Sequence, residues 1–210
     1  MGILEDFKRL EKYGFKLLPY GLAKNEKDGI TIAEKIGYPV AMKLISPQAS
    51  HKTDVGGVRL NIRNYAGIKL ACKEFQEVAR VHRLKLEGML VQKMARKGIE
   101  LIVGGKWDAQ FGPMIILGLG GIYVEIFRDV SARLCPVTRR DIEEMVHELK
   151  SHPVLLGARG KKGIDLRALE DAMLKTCRMM EKEKLKELDL NPMIFDGEGG
   201  DLVDARMVRK

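Results

Sequence analysis

The sequence predicts an α/β fold, mixed α and β, arranged as two lobes, and three observations carry that prediction. Amphipathic helical stretches are interspersed with apolar runs of strand length. A chain of 210 residues lies between one large domain and two small ones. From residue 88 the pattern turns from mixed helix and strand to a succession of strands. The expected division is therefore an N-terminal lobe, residues 1–86, and a C-terminal lobe, residues 87–210, forming one functional unit.

The elements follow in order. A helix over 3–13 stops at Gly14, and an extended "FKLLPYGLA" comes next. Asn25 caps a helix over 26–36, with Gly37 past its end. "YPVAMKLI" reads as a strand, "SHKTDVGG" as a loop and "VRLNIR" as the returning strand. Asn64 caps a long helix over about 65–83, where Ile68, Cys72, Phe75 and Ala79 recur at helical spacing. The strands "GMLVQKMA", "IELIVGGKWD" and "PMIILGLGG" are separated by Gly98 and "DAQFGP". Thr138, with Asp141 at capping-box spacing, opens the next helix. "SHPVLLGARGKKG" reads as a loop, and Asp165 caps a helix from 166 to about 183. The end, "KELDLNPMIFD", "GEGG", "DLVDARMV", is a β-hairpin by composition.

Composition narrows the class of function. Hydrophobic residues make up 45% and charged residues 31%, which excludes both a membrane protein and a disordered chain. No run approaches ~18 apolar residues, and "MGILEDFKRLEKYG" is too charged for a signal peptide. Asp6 stands where a myristoylation motif has Ser or Thr. Cys72, Cys135 and Cys177 are odd in number and lack CxxC spacing, as expected of reduced thiols in a cytoplasmic protein without a zinc site. The net charge of +8 points to anionic small molecules or an acidic partner subunit. Nucleic acid is disfavoured, because aromatics are only 6% and the basic residues are scattered over helices.

Three places carry possible chemistry. In "KELDLNPM", Leu188 and Leu190 alternate with Asp189 and Asn191, so one strand face is apolar and the other bears oxygen. With the turn centred near 197–198, Asn191 falls opposite Asp204, and Asp189, Asn191 and Asp204 converge. Such oxygens suit Mg2+, which takes one or two carboxylates, an amide oxygen, waters and substrate phosphates. A solvated hairpin face is the commoner fate of these residues, and both readings stay open. Lys43 lies within an apolar strand, where a lysine usually points outward to solvent. It runs into the loop ending at Gly56 and Gly57, whose backbone amides could approach phosphate oxygens. His51 in that loop is either an idle surface residue or a group that handles phosphoryl. Neither a Walker motif nor a dinucleotide fingerprint is present.

The segments "YPVAMKLISPQASHKTDVGGVRLNI", "MLVQKMARKGIELIVGGKWDAQFGPMIILGLGGIYVEIFRDVSARLCPVT" and "ELDLNPMIFDGEGGDLVDARMV" resemble the ATP-grasp family. Within it they are similar to the β subunits of ADP-forming acetyl-CoA synthetases, over residues 13–208. The resemblance implies an ATP-grasp fold with the nucleotide site between the two lobes, binding ATP or ADP with Mg2+. It implies that Lys43 reaches the phosphates, that Gln92, Lys93 and Met94 form the hinge whose backbone reads the adenine edge, and that Glu100 holds ribose hydroxyls. Asn191 and Asp204, with Asp189 beside them, match Mg2+ ligands of synthetase relatives. His51 matches a histidine of the nucleotide-side site, and Arg133 in "SARLCPVT" is a further phosphate clamp. The partner implied is a CoA-binding α subunit in an α2β2 assembly, with acyl-CoA, ADP and phosphate converted to acid, CoA and ATP through a phosphohistidine. Many members have Glu where this chain has Gln92, and "GARGKKGID" departs from the family loop, so Arg159 receives no role.

Two alternatives remain open on the sequence. One is an ATP-grasp carboxylate ligase working through a free acyl phosphate. The other is a nucleotide-binding module without catalysis.

Overall fold

In the computed structural model, which describes residues 3–48, 55–121, 129–158, 160 and 162–209, the chain separates into two units. One is Leu18–Met94; the other joins Ile3–Leu17 to Ala95–Lys210. The division therefore falls later than the expected 86/87, and the N-terminal helix belongs with the C-terminal part.

In the unit Leu18–Met94, β1 (Tyr20–Ala23), α2 (Glu26–Ile36), β2 (Val40–Ile45), β3 (Val58–Ile62), α3 (Tyr65–Val81) and β4 (Gly88–Lys93) follow in order. The sheet runs β1-β4-β2-β3 and is antiparallel throughout. β4 pairs with both β1 and β2, which is why it belongs to this unit. Asn25 and Asn64 accept from the amides of Asp28 and Gly67, fixing where α2 and α3 begin. Val40, Met42 and Leu44 of β2 pack with Val91 of β4 against Ile68 and Phe75 of α3. The alternate residues Ala41, Lys43, Leu90 and Gln92 belong to the other face, and they too are buried. A sheet buried on both faces reads as a near-continuous apolar run, as "VAMKLI" does.

The second unit comprises α1 (Ile3–Lys12), β5 (Ile99–Asp108), β6 (Gly112–Leu119), β7 (Val130–Leu134), α4 (Arg139–Glu148), α5 (His152–Leu156), α6 (Leu166–Glu183), β8 (Leu185–Asp196), β9 (Gly199–Leu202) and β10 (Arg206–Arg209). Its six-stranded sheet runs β10-β8-β5-β6-β7, with β9 also on β8. α6 buries Leu169, Met173 and Met180. Gly105 of β5 permits the close approach, since a Cβ there would lie 2.5 Å from Met180 Cγ. α1 is tied to α6 by Arg9 and Tyr13, both donating to the Glu183 carboxylate at 3.0 Å. The capping box of Thr138 and Asp141 is present at the start of α4.

Three elements differ from expectation. β7 was not apparent in "SARLC", because a five-residue edge strand with two exposed apolar residues carries no clear period. Residues 152–156 form one helical turn where a loop was expected. "DLVDARMV" is two strands, β9 and β10, separated at 203–205. Pro192 of β8 has no N–H to offer the ladder there, and its carbonyl accepts from Val203 N at 3.2 Å. Among the described residues, no helix is long and apolar enough to cross a membrane.

Candidate functional site

Lys43 is only 3% exposed, so the common outward-pointing lysine is not what this strand carries. Ala41 stands opposite Gln92 and Lys43 opposite Leu90, making Lys43 and Gln92 diagonal neighbours on one face. Lys43 Nζ donates to Gln92 Oε1 at 3.1 Å. Gln92 is 1% exposed, and its Nε2 is buried without a hydrogen-bond partner among the described residues.

β2 leads into the loop whose residues 49–54, His51 among them, lie outside the described residues. The returning limb is tied down. Gly57 O accepts from Leu44 N at 2.8 Å, and Gly56 O from Arg59 Nη1 at 3.3 Å. Gly56 has φ +73°, a conformation that glycine adopts without a Cβ clash.

Lys93 and Met94 are more committed than the resemblance implies. Lys93 Nζ donates to Gly37 O at 2.7 Å and Tyr38 O at 3.2 Å, and its amide donates to Pro19 O at 2.8 Å. The Met94 amide donates to Pro39 O at 3.3 Å, and its sulfur accepts from Asn61 N at 3.4 Å. The Lys93 amide is therefore not an open donor for a base edge, and its ammonium holds the end of α2.

In the second unit, Glu100 is an exposed residue of β5 lining a cavity of about 510 Å3 together with Gly98, Gly120 and Gly121. Gly120 N donates to Glu100 O at 2.7 Å, and a Cβ on Gly121 would lie 3.2 Å from Glu100 Oε2. The carboxylate thus lies beside glycine backbone, in a cavity within the ~300–1,000 Å3 range of small-molecule sites.

On β8, Leu188 and Leu190 are buried while Asp189 and Asn191 lie on the other face, as the alternation predicted. Arg206 pairs with Asp189 on one side and Leu202 with Met193 on the other, in a single register whose continuation through the unpaired residues 203–205 aligns Asn191 with Asp204. Asp204 Oδ1 accepts from Ala205 N at 3.0 Å. The donor set is two carboxylates and an amide oxygen at the interruption of the ladder. Its chemistry fits a hard divalent cation with room for waters and phosphate. No group of three or more His, Cys, Asp or Glu placed to hold a metal ion occurs among the described residues.

Arg133 on β7 is bound to α4. Its guanidinium grips both oxygens of Glu148, with Nη1 to Oε2 at 3.0 Å, and Ser131 Oγ donates to the same carboxylate at 2.5 Å. This fork and the serine hold the Glu148 carboxyl down at about 2. A phosphate clamp at Arg133 would have to displace Glu148, so the structure gives the arginine a structural engagement. The role expected from sequence was a freer one. Arg159 lies outside the described residues.

Sequence reasoning missed the part played by the Gln92 side chain, having assigned that residue only a backbone role. A signal existed: an amide in an otherwise apolar strand, one strand away from a lysine in the same setting. It also missed that Cys135 and Cys177, 42 positions apart in the chain by subtraction of their numbers, lie close enough to influence each other's ionisation, with the Cys135 thiol pushed up and the Cys177 thiol held down.

Residues 4–208 match the ATP-grasp domain family. The chain is 46% identical over 205 residues to acetate–CoA ligase [ADP-forming] I of Archaeoglobus fulgidus, covering 95% of this chain but 29% of that protein. It is 41% identical over 202 residues to the β subunit of acetate–CoA ligase [ADP-forming] I of Pyrococcus furiosus, covering 95% of this chain and 87% of the subunit. Among solved structures, dinucleotide forming acetyl-coenzyme A synthetase 1 of Ca. Korarchaeum cryptofilum, in complex with coenzyme A, Ca-AMPCP and HgCl+, superposes with TM-score 0.94 at 39% identity. That superposition covers 100% of this chain and 93% of the matched one.

Proposed function

Because the chain belongs to the ATP-grasp family, alongside the β subunits of ADP-forming acetate–CoA ligases, we propose that it is the nucleotide-binding subunit of an ADP-forming acyl-CoA synthetase. It acts with a CoA-binding α subunit to convert acyl-CoA, ADP and phosphate to acid, CoA and ATP. The observation that carries this reading is the buried Lys43, kept from solvent on β2 just before the loop that bears His51. A buried ammonium in that position is a charge-assisted donor for the oxygens of a phosphate-bearing anion. An adenine nucleotide analogue with a divalent cation, seen on the Korarchaeum relative, is such an anion.

The residues divide the work by their chemistry. Lys43 takes phosphate oxygens, with the Gly56 and Gly57 limb nearby in sequence; Glu100 takes ribose hydroxyls; the carbonyls of the 92–94 segment take the base. Asp189, Asn191 and Asp204 hold Mg2+, which when bound neutralises charge on the transferring phosphoryl oxygens. His51 accepts the phosphoryl group, or assists the histidine that does. A neutral imidazole nitrogen attacks the phosphorus of an acyl phosphate, whose P–O bond breaks to release the carboxylate; the N–P bond so formed breaks when a terminal ADP oxygen attacks in turn, giving ATP and freeing the imidazole.

The test mixes the chain with a CoA-binding α subunit from a homologous synthetase and measures ATP formed from acetyl-CoA, ADP and phosphate. Turnover that needs both chains, and that falls at least about a hundredfold in H51A with ADP binding retained, is expected. Full turnover in H51A would remove His51 from the mechanism. Absence of ADP binding by the wild-type chain would sink the proposal. Acid-labile, base-stable label from [γ-32P]ATP on the protein distinguishes phosphohistidine transfer from a free acyl phosphate.

A further inference from the structure

Two prolines stand where β4 ends. Pro19 O accepts from Lys93 N at 2.8 Å, and Pro39 O accepts from Met94 N at 3.3 Å. Both contacts continue the ladder registers, since Tyr20 on Gln92 is followed by Pro19 on Lys93, and Val40 on Lys93 by Pro39 on Met94. In an antiparallel ladder the N–H and C=O of one residue turn to the same side, and a hydrogen-bonded pair exchanges two bonds. Each proline takes one bond and cannot return the other, because it has no N–H. The ladder therefore returns no donor to the Lys93 and Met94 carbonyls, while both amides are spent. Gln92, one residue earlier, lies inside the ladder opposite Tyr20 and Ala41. The main chain at 93 and 94 thus offers acceptors and no donors.

Such a segment sorts ligands by what faces it. A carbonyl oxygen gains from an exocyclic amino group and is repelled by the lone pairs of an oxo group. We propose that Pro19 sets the base preference of the nucleotide site: by withholding an N–H, it keeps the Lys93 carbonyl open to the exocyclic amino group of adenine and against the oxo group of hypoxanthine. The inference rests on the nucleotide-binding reading above, in which the 92–94 carbonyls take the base, and adds which purine they favour and what keeps one of them free. Pro19 is a positioning residue, acting through Lys93 O. A proline that only ended the ladder would also sit at the start of an edge strand, and base identity separates the two roles. P19A supplies the missing N–H, which closes the second bond of the pair onto the Lys93 carbonyl and competes with the base for it.

The test compares wild type and P19A, with P19S as a second carrier of the N–H, for ADP and IDP, which carry the amino and the oxo group. Affinities come from displacement of a fluorescent adenine nucleotide, and circular dichroism and thermal unfolding establish that the variants are folded. The wild type is expected to bind ADP about tenfold or more tightly than IDP. The variants are expected to weaken ADP about fivefold or more, with IDP changed by less than about twofold. Equal affinity of the wild type for ADP and IDP would overturn the inference whatever the variants do. An unchanged ADP-to-IDP ratio in the folded variants would also overturn it, leaving Pro19 as a residue that ends the ladder and the nucleotide reading intact. Failure of the wild type to bind ADP would sink the nucleotide reading and this inference with it.

Discussion

Asn191 and Asp204 hold equivalent register positions at an interruption in a ladder that keeps one register on both sides, with Leu202 on Met193 before it and Arg206 on Asp189 after it. The interruption matters chemically. Two unbroken strands would fix these side chains at ordinary cross-strand spacing, whereas the segment 203–205 lies outside the strands and turns Asp204 by its own bond to Ala205 N. If the face holds Mg2+, removing one ligand should raise the metal requirement before it abolishes turnover. Asn191→Ala is expected to shift the half-saturating Mg2+ concentration upward by roughly 10–100-fold. A Mg2+ titration of the complete synthetase checks this, and an unshifted curve would place the metal elsewhere.

Lys43→Met removes a buried cation while preserving most of the side-chain volume, so the β2–β4 pairing should survive. Nucleotide affinity should fall by about 1.5–3 kcal/mol, the range of hydrogen bonds to charged groups. Fold stability is expected to fall by about 1–3 kcal/mol, because the buried Gln92 Oε1 loses its donor. Calorimetric binding of ADP and a melting curve on the same variant check both halves.

The Arg133–Glu148 fork predicts a pH dependence. The Glu148 carboxyl is held at about 2, below its unfolded value of 4.5, first by the Arg133 hydrogen bonds and then by Ser131. The stabilisation is therefore complete above pH 4.5 and is lost as pH falls from there toward 2. Glu148→Gln should flatten the stability curve in that acid window, lowering stability near neutrality and converging with the wild type as pH falls toward 2. Urea midpoints measured from pH 2 to pH 7 for both proteins provide the comparison.

Gly105 is the point where α6 comes nearest to the sheet. A Cβ there would lie 2.5 Å from Met180 Cγ and 3.0 Å from Met114 O, one a flexible side chain and the other backbone. Gly105→Ala is expected to destabilise by about 1–3 kcal/mol through overpacking. Chemical denaturation would show it, and trimming Met180 to Ala in the same chain should recover part of the loss.

Much of the fold was legible because it rests on local chemistry. Asn25, Asn64, Thr138 and Asp165 each cap a helix as their spacing predicts. The alternation in "KELDLNPM" gave the buried face of β8. What stayed hidden depends on contacts far apart in the chain. The pairing of β4 with β1 and β2 moved the division beyond 86, and the burial of Lys43 reversed the usual expectation for a lysine in a strand. Arg133 looked available in sequence because Glu148 is 15 residues away from it. Pro192 was visible, but its effect falls on the strand opposite and not on its own.

The bond from Lys93 N to Pro19 O has a topological consequence. It joins the first and last strands of the unit Leu18–Met94, so that stretch enters and leaves the surrounding chain at adjoining points. It is in effect a cassette inserted between α1 and the rest of its own unit. A fragment spanning 18–94 should unfold cooperatively by itself, and closing its ends with a short linker should permit new termini elsewhere in its surface. The remaining polypeptide, rejoined across the same narrow gap, should keep Arg9 and Tyr13 on Glu183.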